Sequence, residues 1–368
     1  MSLLFSPLAL GGIEIANRVT VSPMCQYSAR DGTCNDWHLQ HLMGLSLSGA
    51  GLLTLEATHV TAQGRISPGC AGLWSDENEA ALSRVVQACR SVSPIKLGIQ
   101  LAHAGRKGSS QRPWEGRGPL RAEEGAWETI APSALALAPG WHMPRALDEA
   151  GMATVRDAFV ASARRALRVG FDLIEIHSAH GYLLNEFLSP LANRREDAFG
   201  GSLANRMRFP LDVFEAVRAV WPRERALGAR IPGSDYMPTG WSPDDAIAYA
   251  RELKARGCDF VTVSGGGVVL DAKVPTGPGY QVPFAEAVKR GTAMTTGAVG
   301  LITQALQAEA IVAAGRADYV AIARGFLFDP RWAWHAAIEL GAETYFAPQY
   351  QRCHPGAWPP ASEVVRRA

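Results

Sequence analysis

Phe171-Asp172-Leu173-Ile174-Glu175-Ile176-His177-Ser178-Ala179-His180-Gly181-Tyr182 is the stretch on which the reading of the fold turns. Its first half is an apolar run of strand length and fits a strand buried on both faces. Its second half gathers two imidazoles and a phenol where that strand ends. A turn at Gly181 lets the three side chains point into one cavity. Imidazole donates a hydrogen bond to a substrate oxygen and a phenol delivers a proton, so the group suits polarising a carbonyl and supplying a proton. The plainer alternative is a strand exit whose polar residues are satisfied locally.

Outward from this stretch, further apolar runs recur at 18–22, 51–56, 96–100, 226–230, 260–264, 293–296 and 319–323, which with 172–176 makes eight candidate strands. Helical signals separate many of them. Ser242-Pro243-Asp244-Asp245 places an N-cap, a proline at the first helical position and a capping-box acid ahead of 246–256, and Gly257 is the stop. Met152, Val155, Phe159, Ala163 and Ala166 keep helical spacing up to Gly170, and Asp329-Pro330 opens a helix that Gly341 ends. Alternation of helix with eight strands predicts a (β/α)8 TIM barrel, one domain over 1–368, with a loop insertion near 106–150 and a C-terminal tail near 345–368. A doubly wound sheet is the alternative, but no Gly-x-Gly-x-x-Gly follows an early strand.

The chain has 368 residues, 47% of them hydrophobic, and a net charge of +1, so no strong field favours nucleic acid or an anionic membrane. No apolar stretch approaches the roughly 18 residues of a membrane span, and the N-terminus lacks the pattern of a secretion signal. None of the six cysteines sits in a Cys-x-x-Cys pair. Free thiols in a reducing cytoplasm are therefore expected, and no zinc site.

A barrel of this kind gathers its chemistry at the C-terminal ends of its strands. Those ends carry Pro23-Met24-Cys25, Glu56-Ala57, Gln100, the His177–Tyr182 group, Arg230, Ser264, Gly297 and Arg324. Thr296-Gly297-Ala298-Val299-Gly300 lets backbone amides approach an anion ahead of a helix, and Arg324 follows the eighth strand, so this is the expected phosphate end of a cofactor. The alternative is that the two glycines only make a turn. Gln100 offers the donor and acceptor that a flavin pyrimidine edge requires, and Arg230 a fixed positive charge for a reduced flavin; an ordinary ion pair is the alternative for Arg230. Cys25 suits a place beside the flavin, or equally that of a small buried apolar residue. The insertion, with Trp114, Trp127 and Trp141, is either a lid or part of the pocket wall, or a plain surface excursion. His177-x-x-His180 as a metal site lacks a third ligand nearby.

Taken in order, several of these stretches resemble the old yellow enzyme family of FMN-dependent ene-reductases, and most of all its bacterial thermophilic-type and xenobiotic-reductase-type branch. The matching pieces include Ser22-Pro23-Met24-Cys25-Gln26-Tyr27, Glu56-Ala57, Gly98-Ile99-Gln100-Leu101-Ala102-His103-Ala104-Gly105-Arg106-Lys107, Glu175-Ile176-His177-Ser178-Ala179-His180-Gly181-Tyr182, Pro278-Gly279-Tyr280-Gln281-Val282 and Thr296-Gly297-Ala298-Val299-Gly300. The resemblance implies FMN lined by Ser22, Pro23, Met24, Cys25 and Ala57, with Gln100 and Arg230 on the pyrimidine and Gly297, Gly300, Ala323 and Arg324 at the phosphate. It implies that His177 and His180 bind a carbonyl oxygen, that Tyr182 donates a proton, and that Tyr27 lines the substrate pocket. NADPH or NADH is the implied hydride donor, in a ping-pong reduction of activated alkenes.

Two features depart from the family pattern. Ala323 stands where glycine commonly precedes the phosphate-binding arginine. The tail keeps Arg352, the candidate to reach a neighbouring subunit of a homodimer or homotetramer, but continues into Cys353-His354-Pro355. Two other classes compete: a flavin-free lyase or aldolase using Lys107 or Lys96 as a Schiff-base amine, and a ligand-binding module without catalysis.

Overall fold

In the computed structural model, which describes residues 2–367, eight parallel strands close into a barrel in which chain neighbours are also spatial neighbours. They are β1 (Val19–Val21), β2 (Leu52–His59), β3 (Lys96–Ala102), β4 (Leu173–His177), β5 (Ala226–Ile231), β6 (Phe260–Val263), β7 (Thr295–Ala298) and β8 (Tyr319–Ile322), and β8 pairs with β1 to close the ring. Eight helices stand outside: α1 (Asp36–Ser46), α2 (Asp76–Val92), α3 (Glu149–Val169), α4 (Leu203–Val220), α5 (Pro243–Ala255), α6 (Val282–Thr292), α7 (Ala305–Ala313) and α8 (Trp332–Glu339). This is the (β/α)8 architecture expected from the alternation.

Local signals account for the helix ends. Ser242 and Asp245 form the capping box of α5, with Pro243 in its first turn. Asp148 caps α3, and Gly170 ends it in the left-handed region at φ +97. Met152, Val155, Phe159, Ala163 and Ala166 all face the core shared by strands and helices.

Three features depart from the sequence reading. A short antiparallel hairpin, Leu8–Leu10 with Ile13–Ile15, packs Leu10 and Ile15 on Leu52, Leu173, Ala226 and Phe260 near the N-terminal ends of the barrel strands. β2 runs three residues past the expected end, with a register shift between Leu55 and Ala57 that makes Glu56 a bulge. β7 starts two residues later than expected. Ala293 ends α6 in the left-handed region at φ +51, so regular pairing begins only with Phe260↔Thr295. Gly297 is thereby drawn into the strand.

The segment between Arg106 and Ala150 folds over the C-terminal face. Arg112 Nε donates to the Tyr27 carbonyl at 3.0 Å, and Trp114 meets the Tyr27 ring edge-on at 6.0 Å. Trp127 donates to the Gln63 carbonyl and lies under the Arg65 guanidinium. These contacts seat the insertion against the loop that carries Tyr27.

Candidate active site

The turn after β4 is built by its own backbone. Ser178 N–H continues the ladder to the Arg230 carbonyl at 2.8 Å. His180 and Gly181 then adopt left-handed φ of 62° and 69°. Asn185 Oδ1 accepts the Gly181 amide at 2.8 Å, and Tyr182 caps a short helix, Leu183–Leu188, whose residues are all buried. The chain reversal brings His177 to 5.1 Å from His180 and 4.9 Å from Tyr182, ring centre to ring centre, both edge-on. The three side chains singled out in the sequence do share one place.

Burial, followed by the positive neighbours, pushes the pKa of both imidazoles well below the usual histidine range, so both are neutral. His177 Nδ1 accepts the Ala179 amide at 3.2 Å, which leaves its proton on Nε2 as a donor. His180 Nε2 pairs with Ser264 Oγ at 2.7 Å. Burial pushes the Tyr182 phenol up, so it carries its proton. Cys25, Tyr27 and Tyr182 pack together on Ile66, Cys70 and Ala104. Burial, then the nearby Glu56, raises the Cys25 thiol, which stays protonated.

A cavity of about 270 Å³ opens beside this group, lined among others by Ser22, His180, Arg230, Gly300, Ala323 and Arg324. Arg230 is 7% exposed, and its Nη1 donates to Ser22 Oγ at 3.0 Å while its Nε is buried without a partner. A buried guanidinium so sparsely bonded requires an acceptor from a ligand. At the far end Gly300, at φ +109, leaves room that a Cβ would lose against Gln281 N, only 3.0 Å away. Among the described residues no acceptor binds the amides of Gly300 and Ala323. Arg324 on the cavity wall, a sparsely bonded buried guanidinium at Arg230 and free amides over a glycine fit a ring system carrying a phosphate tail, as FMN does. Ala323 has φ −101, so its methyl group introduces no backbone strain there.

Not every named residue reaches the cavity. Gly297 lies inside β7, and a Cβ on it would stand 2.2 Å from the Tyr319 ring, so this glycine makes room for a tyrosine. Arg352 lies exposed in the 3-10 turn Pro348–Cys353. Tyr280 and Gln281 line the cavity without having been assigned a role, although both stand in a stretch the sequence reading quoted. The candidate Schiff-base amines are placed elsewhere. Lys107 Nζ donates to the carbonyls of His180 and Gly267 at 2.7 and 3.0 Å, and Lys96 begins β3 at the opposite end of the barrel.

The bulge at Glu56 anchors the segment that follows β1: Glu56 Oε2 accepts the Gln26 amide at 3.1 Å, and Oε1 lies 3.5 Å from His38 Nε2. Burial pushes its carboxyl pKa from 4.5 up to about 8, and that of Glu186 likewise to about 8. Below pH 4.5 both folded and unfolded chains hold these protons; above it only the folded chain does, until about pH 8. Stability from each group is therefore full in acid and lost as pH rises through that window, by up to ~1.4 kcal/mol per pH unit. Glu56→Gln is expected to remove one of the two contributions. Urea unfolding across the window measures it, and a slope unchanged by the substitution would contradict the assignment.

The comparisons agree with this geometry. Residues 3–343 match the NADH:flavin oxidoreductase / NADH oxidase family. The NADPH dehydrogenase of Geobacillus sp. (strain WCH70) is 45% identical over 95% of this chain and 98% of its own length, and that of Listeria innocua serovar 6a is 42% identical over 96% and 99%. Among solved structures, morphinone reductase superposes with a TM-score of 0.77 at 28% identity, covering 95% of this chain and 92% of its own. A 2-naphthoyl-CoA reductase gives 0.83 at 21% identity over 92% of this chain and 52% of its own, which shows the fold alone. With a family match over residues 3–343 and relatives aligned nearly from end to end, the chain belongs to the NADH:flavin oxidoreductase / NADH oxidase family, the old yellow enzyme group of FMN-dependent oxidoreductases.

Proposed function

We propose that this oxidoreductase reduces the activated C=C bond of α,β-unsaturated carbonyl compounds with NADPH, in a ping-pong cycle in which nicotinamide and alkene use one pocket in turn. The observation that carries the reading is the pair of neutral imidazoles beside a protonated phenol. FMN, when bound, supplies the hydride chemistry that links NADPH to the alkene. Ser22, Gln100 and Arg230 would hold its ring system and Gly300, Ala323 and Arg324 its phosphate, with Pro23, Met24, Cys25 and Ala57 alongside. His177, whose proton is on Nε2, and His180 would both donate to the substrate carbonyl oxygen; for His180 this reading takes Ser264 Oγ as the donor to Nε2, which puts the imidazole proton on Nδ1. Two donors on one oxygen draw electron density from the β-carbon. Tyr182 gives its proton to the α-carbon and recovers one from water. Tyr27, buttressed by Arg112 and Trp114, bounds the substrate side.

The anaerobic absorbance spectrum tests the reading. NADPH should bleach the flavin bands and 2-cyclohexenone should restore them. A flavin that bleaches but is not restored by enone would sink the alkene assignment. Replacing Tyr182 by Phe should slow the enone half-reaction by about 10²-fold, the usual contribution of a positioned acid, and leave flavin reduction nearly intact. Equal slowing of both halves would remove Tyr182 from proton delivery.

Assembly belongs to the same proposal. Exposed Arg352 is offered as the residue that enters a neighbouring subunit's pocket in a homodimer or homotetramer. Arg352→Ala should raise the KM for enone without loss of FMN. The six free thiols suit the reducing cytoplasm. Among the described residues no helix is long and apolar enough to cross a membrane.

A further inference from the structure

Directly below the proposed pyrimidine site, polar side chains run across the inside of the barrel. Gln100 on β3 donates from Nε2 to Glu175 Oε1 at 2.7 Å. Thr262 on β6 donates to Glu175 Oε2 at 2.5 Å. Thr262 has one hydrogen, and the carboxylate takes it, so Tyr319 on β8 must donate in turn to Thr262 Oγ1 at 2.9 Å. All four side chains are buried. Gly297 leaves the space that the Tyr319 ring occupies. Glu175 therefore has both oxygens bonded and makes no direct ion pair among the described residues.

Two consequences reach the cofactor. A carboxylate accepts hydrogen bonds and never donates one when ionised, so it fixes which way the Gln100 amide points. With one Nε2 hydrogen spent on Glu175, the amide presents its carbonyl oxygen and its second N–H elsewhere. That is an acceptor for the N3–H of a flavin and a donor for a flavin carbonyl. The second consequence is charge. Glu175 and His177 share one face of β4, and His177 pairs with Arg230 on β5, so the carboxylate lies one inward-facing position below the guanidinium. Burial disfavours the Arg230 charge, and Glu175 is the largest influence that favours it.

We infer that Glu175 is a positioning residue for the cofactor: it fixes the Gln100 amide and counterbalances Arg230, and thereby lowers the reduction potential of bound FMN. This rests on the placement of Gln100 and Arg230 at the pyrimidine edge. Reduction gathers negative charge at that edge. Arg230 favours this charge and Glu175 opposes it, and in the low-dielectric barrel neither is well screened.

The midpoint potential of FMN in the purified holoenzyme, measured by anaerobic dye-coupled titration, tests it. Glu175→Gln should raise the potential by an amount equal to at least a tenfold gain in preference for reduced over oxidised FMN, about 30 mV for a two-electron couple. Thr262→Val, which keeps the carboxylate but removes a donor that offsets part of its charge, should shift it slightly the other way. Arg230→Met should lower it. A potential unmoved by Arg230→Met would remove the pyrimidine placement itself. A potential that moves with Arg230→Met but not with Glu175→Gln would overturn the role of Glu175 alone. Should Glu175→Gln fail to fold, Thr262→Val carries the test, and a rise in its potential overturns the inference. A merely structural loss would lower FMN occupancy and Tm without moving the potential in opposite directions for the two charges.

Discussion

Replacing both His177 and His180 by alanine is expected to cut enone turnover by about 10³-fold while FMN stays bound. Loss of one preorganised donor to a developing oxyanion typically costs about 10²–10³ in rate, and the two imidazoles act on one oxygen, so their losses do not simply multiply. FMN should remain because neither ring bonds the groups offered to its ring or phosphate: Arg230 is held by Ser22, and Gly300, Ala323 and Arg324 lie at the far end of the cavity. The substitution should also abolish the long-wavelength band that a phenol such as 4-hydroxybenzaldehyde gives over an oxidised flavin. Stopped-flow traces of each half-reaction and a phenol titration measure both effects. The rate should not fall off in mild acid on account of these rings, because burial keeps both neutral well below the usual histidine range. Retained phenol binding in the double variant would remove the pair from substrate recognition.

The sequence exposes what depends on local chemistry. Gly170, Ser242, Pro243 and Gly257 mark helix ends because caps and stops act within one turn of chain. The buried strands are visible as apolar runs, and the ends of those runs place His177, Gln100 and Arg230 at one mouth. What it hides is set across the barrel. Gly297 reads as a phosphate glycine because it follows an apolar run; only the left-handed Ala293, which delays β7, and the Tyr319 ring, which needs the space, reveal it as a packing glycine. Glu175, Thr262 and Tyr319 are lost inside runs that read as apolar, since inward and outward positions of a fully buried strand do not differ in polarity. The bulge at Glu56 is an extra residue, detectable only from the register with β3. The N-terminal hairpin has strands of three residues, too short to show a period.

Gly181 joins the readable and the hidden. From the sequence it is a turn that lets three side chains converge. In the structure it is also a point of backbone contact between two loops. A Cβ on Gly181 would stand 2.1 Å from the Gly267 carbonyl oxygen, and one on Gly267 would stand 2.7 Å from that of His180. The Lys107 ammonium fills the space between these two carbonyls, bonding both, and lies 5.0 Å from the centre of the Tyr182 ring. Gly181→Ala must therefore both adopt φ near +69 and push the loop after β6 away. The first costs roughly 1–3 kcal/mol and the overlap adds a similar amount, so a loss of about 3 kcal/mol or more is expected in urea unfolding. Displacing that loop also pulls the His180 carbonyl from Lys107 and moves His180 and Tyr182 together, so enone reduction should fall by at least about 10²-fold even where the variant remains folded and yellow. Leu191, beyond the end of the short helix Leu183–Leu188 and outside this contact, provides the comparison: Leu191→Ala should leave phenol binding unchanged. A Gly181→Ala protein with unaltered stability and phenol affinity would show that the two loops move independently, and the convergence of His177, His180 and Tyr182 would then need another support.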